Sequence, residues 1–331
     1  MLSNETCHVV SKERRLMVFA GRSNPKLGEA IAEHLGIRLG PILLKTFANG
    51  EIYARYEESI RGADVFLVQS PHGSLNEHVM ELLIMIQAAK LASASRITAV
   101  LPYFPYSRQD KKSAAREPIT GRLMATLLEA AGVDRVLAMD LHQGQLQGFF
   151  EIPVDHMTAT PMLADYFRYK GFGDSELVAV SADAGGVKLA KRFASRIDAD
   201  LAVLTKTRPS HNKAETMHFI GEVDGKIAIL IDDMIDTGGS VVGAVDTLYE
   251  RGALEVYVTA THAIFSGTAR ERFAKSPVKE VVVTDTLPVV LNKDDTKIKV
   301  LSVAGILADT IKRVFEGDSV SELFAGENAL F

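Results

Sequence analysis

The 331-residue sequence predicts an α/β protein made of two similar halves, each a mainly parallel sheet flanked by helices. Apolar strands recur without polar alternation, and a segment with helical spacing follows most of them. This alternation is typical of parallel sheets that are covered on both faces. The length suits two domains of about 150 residues each. We predict a flexible tail at 1–14, a first domain at 15–160 and a second at 161–315, with segment 316–331 packing back on the first domain.

The first half begins with a buried strand, and its elements then alternate. Asn24 and Pro25 supply an N-cap and a proline at the first helical position, and Gly36 ends that helix. Pro118 opens a later helix in the same way. The predicted strands are 16–20, 64–69, 97–101 and 136–139, and the other predicted helices are 75–92 and 119–131.

The second half repeats this rhythm. Pro161 begins a helix, and Gly252 closes another as its C-cap. The predicted strands are 177–180, 201–204, 227–231, 256–260 and 281–283, and the other predicted helices are 186–195 and 241–250.

Composition restricts the classes of partner. Hydrophobic residues make up 47% and charged residues 24%, as in ordinary globular proteins. The formal net charge of −5 gives no basic field, so we expect no nucleic-acid or membrane partner. Cys7 is the one cysteine, no apolar run reaches about 18 residues, and the first 15 residues have no apolar signal core. We therefore expect a cytoplasmic protein.

The strongest chemical signal is the segment that follows the strand at 227–231. Two glycines at a helix N-terminus let the backbone approach a phosphate, and the unsatisfied N–H groups favour an anion. Two carboxylates before them suit ribose hydroxyls or a hydrated Mg²⁺. The segment predicts a sugar-phosphate site, and the plainer alternative is a capped strand-to-helix turn. Its candidate residues are Asp232, Asp233, Asp236, Thr237, Gly238, Gly239 and Ser240.

This segment resembles the binding motif of type I phosphoribosyltransferases and ribose-phosphate diphosphokinases. The resemblance implies that each half has the type I phosphoribosyltransferase fold. It also implies that the loop binds the 5-phosphate of ribose 5-phosphate and the acidic pair its 2- and 3-hydroxyls. A second string, 139–150, resembles the diphosphokinases alone and implies that His142 contacts ATP phosphates and Mg²⁺. A histidine at such a strand end is otherwise more often structural.

Two further segments resemble the ATP-binding parts of the diphosphokinases. The cationic, aromatic segment 101–112 implies that Arg108 and Gln109 contact ATP, and a solvated charged loop is its plainer interpretation. The segment 47–51 resembles the adenine-side loop. The residues implied there are Phe47, Asn49, Gly50 and Glu51, although Asn49 stands where aspartate is common in the family.

Three residues complete the implied catalytic set. Lys206 and Arg208 match the catalytic lysine and arginine of the family, on a loop that could otherwise be merely basic and exposed. Asp183 follows a strand and precedes glycines, which suits an Mg²⁺ ligand or an N-capping aspartate. Ala182 replaces the proline that the family usually has before it.

The resemblance implies a diphosphotransferase that moves the β,γ-diphosphate of ATP onto the C1 hydroxyl of ribose 5-phosphate, for nucleotide biosynthesis. It further implies Mg²⁺ as cofactor, a homohexamer, activation by inorganic phosphate and inhibition by ADP. The residues implied for that regulatory site are Ser59, Arg61, Arg116, Ser319 and Ser321, any of which could instead be a plain surface residue.

Two alternatives share the sugar-phosphate segment. One is a phosphoribosyltransferase, against which the His142 string and the Arg108 segment argue. The other is a non-catalytic regulatory subunit of the same fold, against which the intact Lys206, Arg208 and Asp183 argue. The sequence has neither a Walker loop nor a G-x-G-x-x-G after a strand, so ATP or a dinucleotide is not bound in those ways.

Overall fold

The computed structural model describes residues 14–173, 176–207 and 216–324, with the side chains of 206, 207 and 216–218 outside the description. The first half contains a five-stranded sheet with the order β1-β4-β5-β6-β7, parallel throughout, and a separate antiparallel hairpin, β2-β3. Its elements are β1 (Leu16–Ala20), α1 (Pro25–His34), β2 (Ile42–Thr46), β3 (Ile52–Tyr56), β4 (Asp64–Val68), α2 (Leu75–Leu91), β5 (Arg96–Leu101), α3 (Thr120–Ala131), β6 (Arg135–Met139) and β7 (Val154–Met157).

The second half contains a seven-stranded sheet with the order β10-β9-β8-β11-β12-β13-β14. All its pairs are parallel except β10 with β9. Its elements are α4 (Thr160–Arg168), β8 (Leu177–Ser181), α5 (Val187–Ile197), β9 (Asp200–Thr207), β10 (Thr216–Ile220), β11 (Ile227–Ile235), α6 (Gly239–Glu250), β12 (Glu255–Ala263), α7 (Ala269–Lys275), β13 (Glu280–Thr284), β14 (Ile298–Leu301) and α8 (Ala304–Glu316).

One apolar core is shared by the two halves. It joins Phe66 and Leu137 of the first sheet to Ile229 of the second sheet, with Phe167 of α4 and Ile311 of α8 between them. Two further cores cover the remaining faces, one under α2 and α3 and one under α6 and α7. Because both sheets bury both faces, their strands read as continuous apolar runs in the sequence.

The predicted α/β class and its two parallel sheets are confirmed, and each predicted strand and helix is present with slightly different ends. The sequence interpretation omitted β2, β3, β7, β10, β14, α7 and α8. The hairpin strands β2 and β3 are only partly buried and carry polar residues, so they form no apolar run. Helix α8 has buried residues at clear helical spacing, including Leu307, Ile311 and Val314.

The last helix packs against the first half. Helix α8 begins at Ala304 and packs against α1, and Arg96 donates to the carbonyl oxygen of Val314 at 3.0 Å. Arg14, the last residue of the predicted tail, contacts Asp64 and lies over the ring of Phe315. The predicted bounds of the tail, of the two domains and of the returning C-terminal segment stay predictions. No helix within the described ranges is long and apolar enough to cross a membrane.

Candidate active site

The strand ends of the two sheets meet at one cleft. Residues after β6 and residues at the end of β11 line a cavity of about 230 Å³, together with the start of α5. Across this cleft His142 Nδ1 lies 2.8 Å from Asp233 Oδ2. Asp183 also lines the cleft, and its Oδ1 accepts a hydrogen bond from the Gly186 N–H at 2.9 Å. The predicted ATP-side histidine and the predicted ribose-side acids therefore lie together, as expected for ligands at the carboxyl ends of parallel strands.

The charges in this cleft are strongly coupled. The hydrogen bond to Asp233 raises the pKa of His142, which favours the imidazolium at neutral pH. Burial raises the pKa of Asp232 well above its usual value, and the neighbouring charge of Asp233 adds to the effect. Burial also opposes ionisation of Asp233, but the hydrogen bonds from His142 and Asp232 outweigh it and lower the pKa of Asp233. The acidic pair can thus hold one proton while its second carboxylate stays ionised.

The ribose-phosphate segment forms a tight loop at the start of α6. Gly238 has φ +71° and precedes the first helical residue, Gly239, so the first N–H groups of the helix are free to face a ligand. Arg108 reaches this loop from the first half and lies 2.6 Å from Asp236 Oδ2. Although burial opposes it, the contacts of Asp236 with Ser266 and Arg108 lower the pKa of that carboxyl. The loop therefore carries an ionised acid that already has a cationic partner.

The segment that presents His142 is fixed by buried polar groups that the sequence interpretation did not identify. Asp140 has φ +38°, and its Oδ2 accepts hydrogen bonds from Ala159 N at 2.8 Å and Thr261 Oγ1 at 2.6 Å. His262 Nε2 lies 3.1 Å from the carbonyl oxygen of Asp140. Because a carbonyl oxygen can only accept, His262 donates from Nε2, and burial lowers the pKa of this ring. Thr261 and His262 belong to the second half, so this network joins the halves directly behind His142.

A second buried histidine supports the same strand end. His156 Nε2 accepts a hydrogen bond from the Leu141 N–H at 2.9 Å, so the ring proton is on Nδ1. Burial lowers the pKa of His156 to about 4, which keeps this acceptor neutral. His156 stands in β7 and His262 near the end of β12, so their places in strands could have indicated that both are buried. The sequence does not show that they support the segment with His142.

The predicted adenine-side residues are not among the described residues that line this cleft. Phe47, Asn49, Gly50 and Glu51 form the exposed turn between β2 and β3. The Phe47 N–H donates to the Glu51 carbonyl at 2.8 Å, and the Phe47 ring packs edge-on against Tyr53. Among the described residues, no contact joins this turn to His142 or Arg108. Gln109 lies in the loop before α3, where the Thr120 hydroxyl donates to its side-chain oxygen.

Comparison with known proteins identifies the family. A sequence profile described as the N-terminal domain of ribose phosphate pyrophosphokinase matches residues 16–132, and one described as the phosphoribosyl synthetase-associated domain matches residues 195–325. The ribose-phosphate pyrophosphokinase of Fusobacterium nucleatum is 51% identical over 93% of this chain and 97% of its own. The chain belongs to the ribose-phosphate pyrophosphokinase family. The predicted activity, a diphosphotransferase of nucleotide biosynthesis, is confirmed at the level of this family.

Two more relatives agree with this assignment. The ribose-phosphate pyrophosphokinase of Caldanaerobacter subterraneus is 53% identical over 93% of this chain and 98% of its own. The crystal structure of phosphoribosylpyrophosphate synthetase from Mycobacterium smegmatis matches with a TM-score of 0.86 and 46% identity, over 92% of this chain and 100% of that one. The architecture described above is thus the architecture of the pyrophosphokinases.

Two catalytic predictions for a pyrophosphokinase lie at or beyond the edge of the description. Lys206 lies in β9, where its backbone pairs with Met217, and its side chain is outside the described part. Arg208 lies wholly outside the described residues. Both roles stay predictions.

The five predicted regulatory residues are distributed over the chain. Arg15 donates to the carbonyl oxygens of Ser59 and Arg61, and Arg313 donates to that of Ser319. Ser321 begins a short 3₁₀ helix after α8. Arg116 has φ +70° and lies in the loop before α3, and no described contact joins it to the other four. The contacts of the described residues do not join all five, and the regulatory site stays a prediction.

The cleft has oxygen donors that suit Mg²⁺ in a pyrophosphokinase. Within the described ranges, no three His, Cys, Asp or Glu side chains converge as ligands on one point. Mg²⁺ needs only one or two carboxylates when phosphates and waters complete its shell, and Asp183 at the cleft wall fits that use. The Nδ1 of His142 is engaged by Asp233, as is usual for a histidine that binds a metal through its other ring nitrogen, so the predicted metal role of His142 stays a prediction.

Proposed function

We propose that the cleft between the halves transfers the β,γ-diphosphate of ATP to the C1 hydroxyl of ribose 5-phosphate, giving AMP and 5-phosphoribosyl 1-diphosphate. The observation that carries this proposal is the 2.8 Å contact between His142 and Asp233. It joins the strand end with the ATP-side motif to the strand end with the ribose-side motif. Two substrates held on these two walls would have their reacting groups in the same cleft, which is the main requirement for phosphoryl transfer.

Ribose 5-phosphate occupies the second-half wall in this proposal. The loop at 237–240 offers backbone N–H groups at the start of α6 to the 5-phosphate, with Thr237 and Ser240 adding hydroxyl donors. Asp232 and Asp233 accept hydrogen bonds from the 2- and 3-hydroxyls. The opposed pKa shifts of the two acids suit this task, because one carboxylate stays ionised without the full repulsion of two.

ATP occupies the first-half wall. The His142 side chain faces the cleft and would bind the phosphate chain, and Arg108 and Gln109 lie on the neighbouring segment. We assign Phe47, Asn49, Gly50 and Glu51 to the adenine as the resemblance implies. Their turn is exposed, and the Phe47 ring, packed edge-on against Tyr53, offers a surface on which a base could stack.

The chemical step breaks the bond between the α-phosphate oxygen and the β-phosphorus while the C1 oxygen bonds to that phosphorus. The protein supplies position and positive charge. His142, Lys206 and Arg208 would neutralise the developing charge. Bound Mg²⁺, held by His142, Asp183, phosphates and waters, would supply further charge neutralisation when present.

Regulation and assembly complete the proposal. Ser59, Arg61, Arg116, Ser319 and Ser321 would bind inorganic phosphate or ADP where several chains of a homohexamer meet. A cytoplasmic location is part of the same proposal. Sedimentation with and without phosphate tests the assembly, and a monomer with full phosphate activation would contradict it.

The ³¹P NMR spectrum of a reaction mixture tests the transfer itself. With ATP, Mg²⁺ and ribose 5-phosphate, we expect the resonances of AMP and of a diphosphate attached to the sugar to grow at equal rates. Growth of ADP resonances together with a sugar monophosphate at C1 would mean transfer of a single phosphoryl group and would refute the proposal.

A further inference from the structure

The cationic side chain of Arg272 lies against the start of α6, beside the loop at 237–240. The ideal position of a Cβ atom on Gly239 is 2.5 Å from Arg272 NH1 and 3.7 Å from its Cζ. The guanidinium therefore lies directly over the first residue of α6. A side chain at position 239 would displace the guanidinium of Arg272. This close contact therefore explains a glycine at position 239 without any appeal to backbone conformation.

The fold holds Arg272 at this place. The chain after β12 runs alongside the loop, with Phe265 N donating to the Ile235 carbonyl and Ser266 N donating to the Asp236 carbonyl, each at 3.0 Å. Helix α7 then begins, and the ring of Phe273 packs under Gly238, 3.3 Å from the ideal position of a Cβ on that glycine. Arg272, the preceding residue on α7, is thereby directed toward the start of α6.

The hydrogen-bonding capacity of Arg272 is largely unused. Its Nε donates to Thr268 Oγ1 at 3.2 Å, which fixes the plane of the guanidinium. Among the residues that the structure describes, NH1 and NH2 have no hydrogen-bond or ion-pair partner. The acids of the same loop are otherwise engaged, since Asp236 pairs with Arg108 and Asp233 with His142.

We propose that Arg272 is a binding residue for the 5-phosphate of ribose 5-phosphate. A phosphate on the N–H groups of the loop at 237–240 would lie beside a guanidinium that already points there. Arginine binds phosphate through two parallel N–H groups, which adds geometric selectivity to charge. This inference rests on the proposed function, because it assigns one more contact to the same substrate.

Calorimetric binding of ribose 5-phosphate to the full chain, without ATP, tests the inference. We expect Arg272→Ala to weaken binding by about 10- to 100-fold, the range for hydrogen bonds to charged groups. Lys275→Ala removes the same charge from the same helix, one turn away, and is expected to bind within about twofold of wild type. Arg272→Lys keeps the charge but not the fork and should fall between. Wild-type binding by Arg272→Ala would overturn the inference.

Steady-state kinetics separate this role from a structural one. In Arg272→Ala the KM for ribose 5-phosphate should rise by the same factor, while kcat, the KM for ATP and the thermal midpoint stay near wild type. An equal change in the KM for ATP would overturn the assignment. Should Arg272→Ala fold poorly, Arg272→Gln, which retains a donor for Thr268, takes its place.

The two proposals fail separately. Absence of AMP formation by the wild-type chain, with ribose 5-phosphate binding that depends on Arg272, would overturn the proposed function only. Normal AMP formation with binding that ignores Arg272 would overturn this inference only. No binding of ribose 5-phosphate to the wild-type chain would overturn both.

Discussion

Replacement of Asp140 by alanine should destabilise the protein strongly, although Asp140 is not one of the assigned ligands. The side chain is buried, and one carboxylate oxygen accepts hydrogen bonds from Ala159 N and Thr261 Oγ1. Each such bond to a charged group contributes about 1.5–3 kcal/mol, and a buried donor without a partner retains its desolvation cost. Position 140 also has φ +38°, where alanine costs about 1 kcal/mol more. We expect a loss of about 4–7 kcal/mol in the free energy of unfolding.

Two matched variants make this prediction specific. Asp140→Asn keeps an acceptor oxygen and the tolerance for positive φ, so we expect it to cost about 1–2 kcal/mol. Asp246 is exposed on α6, and Asp246→Ala should change the free energy of unfolding by less than about 0.5 kcal/mol.

Urea titration followed by circular dichroism measures these differences as shifts in the unfolding midpoint. Because Asp140 joins the two halves behind His142, the alanine variant should also lose turnover at urea concentrations where its helices remain. A loss below about 1 kcal/mol for Asp140→Ala, or equal losses for alanine and asparagine, would refute the account of this network.

Three further predictions concern the cleft and its loop. Asp233→Asn removes the carboxylate that raises the pKa of His142, so the pKa of His142 should fall in an NMR titration. In the proposed function a protonated His142 binds the phosphates, so the loss of activity with rising pH should begin at a lower pH in this variant. An unchanged pKa of His142 would contradict this prediction. Gly238→Ala should lower the free energy of unfolding in urea by about 1–2 kcal/mol, because residue 238 has φ +71°. Gly243→Ala, in the open interior of α6, should raise it by up to about 1 kcal/mol, and a change in the same direction for both variants would contradict this reasoning. Lys206→Ala should lower kcat by about 10²–10³ with little change in the KM for ribose 5-phosphate, and the reverse pattern would exclude a role in the transition state.

Much of the fold was predictable because the buried strands carry an unambiguous signal. Strand β4 is buried at each of its five residues, and a run such as Asp64–Val68 has few alternatives once a helical segment follows it. The β2-β3 hairpin gave no such signal, since its residues are half exposed and its stability comes from contacts with α2. The shared core between the halves was also beyond prediction, because it depends on how two sheets pack.

The site was predictable where one short stretch of sequence contains all the residues of a binding function. The loop at 237–240 and the strand end at His142 are two such stretches. His142 lines the cleft, and the loop lies at the start of α6. Residues that act from other elements were missed: Arg272 is separated from Gly239 by a complete strand and helix, and His262 reaches Asp140 from the other half. Nothing in the local sequence of either residue indicates its partner.

The most direct test of the central claim is AMP formation from ATP and Mg²⁺, measured with and without ribose 5-phosphate in phosphate buffer. The account predicts that AMP appears only with the sugar, at the rate at which 5-phosphoribosyl 1-diphosphate forms, and that His142→Ala slows both products equally. AMP formation that ignores the sugar, or no turnover despite binding of both substrates, would contradict it.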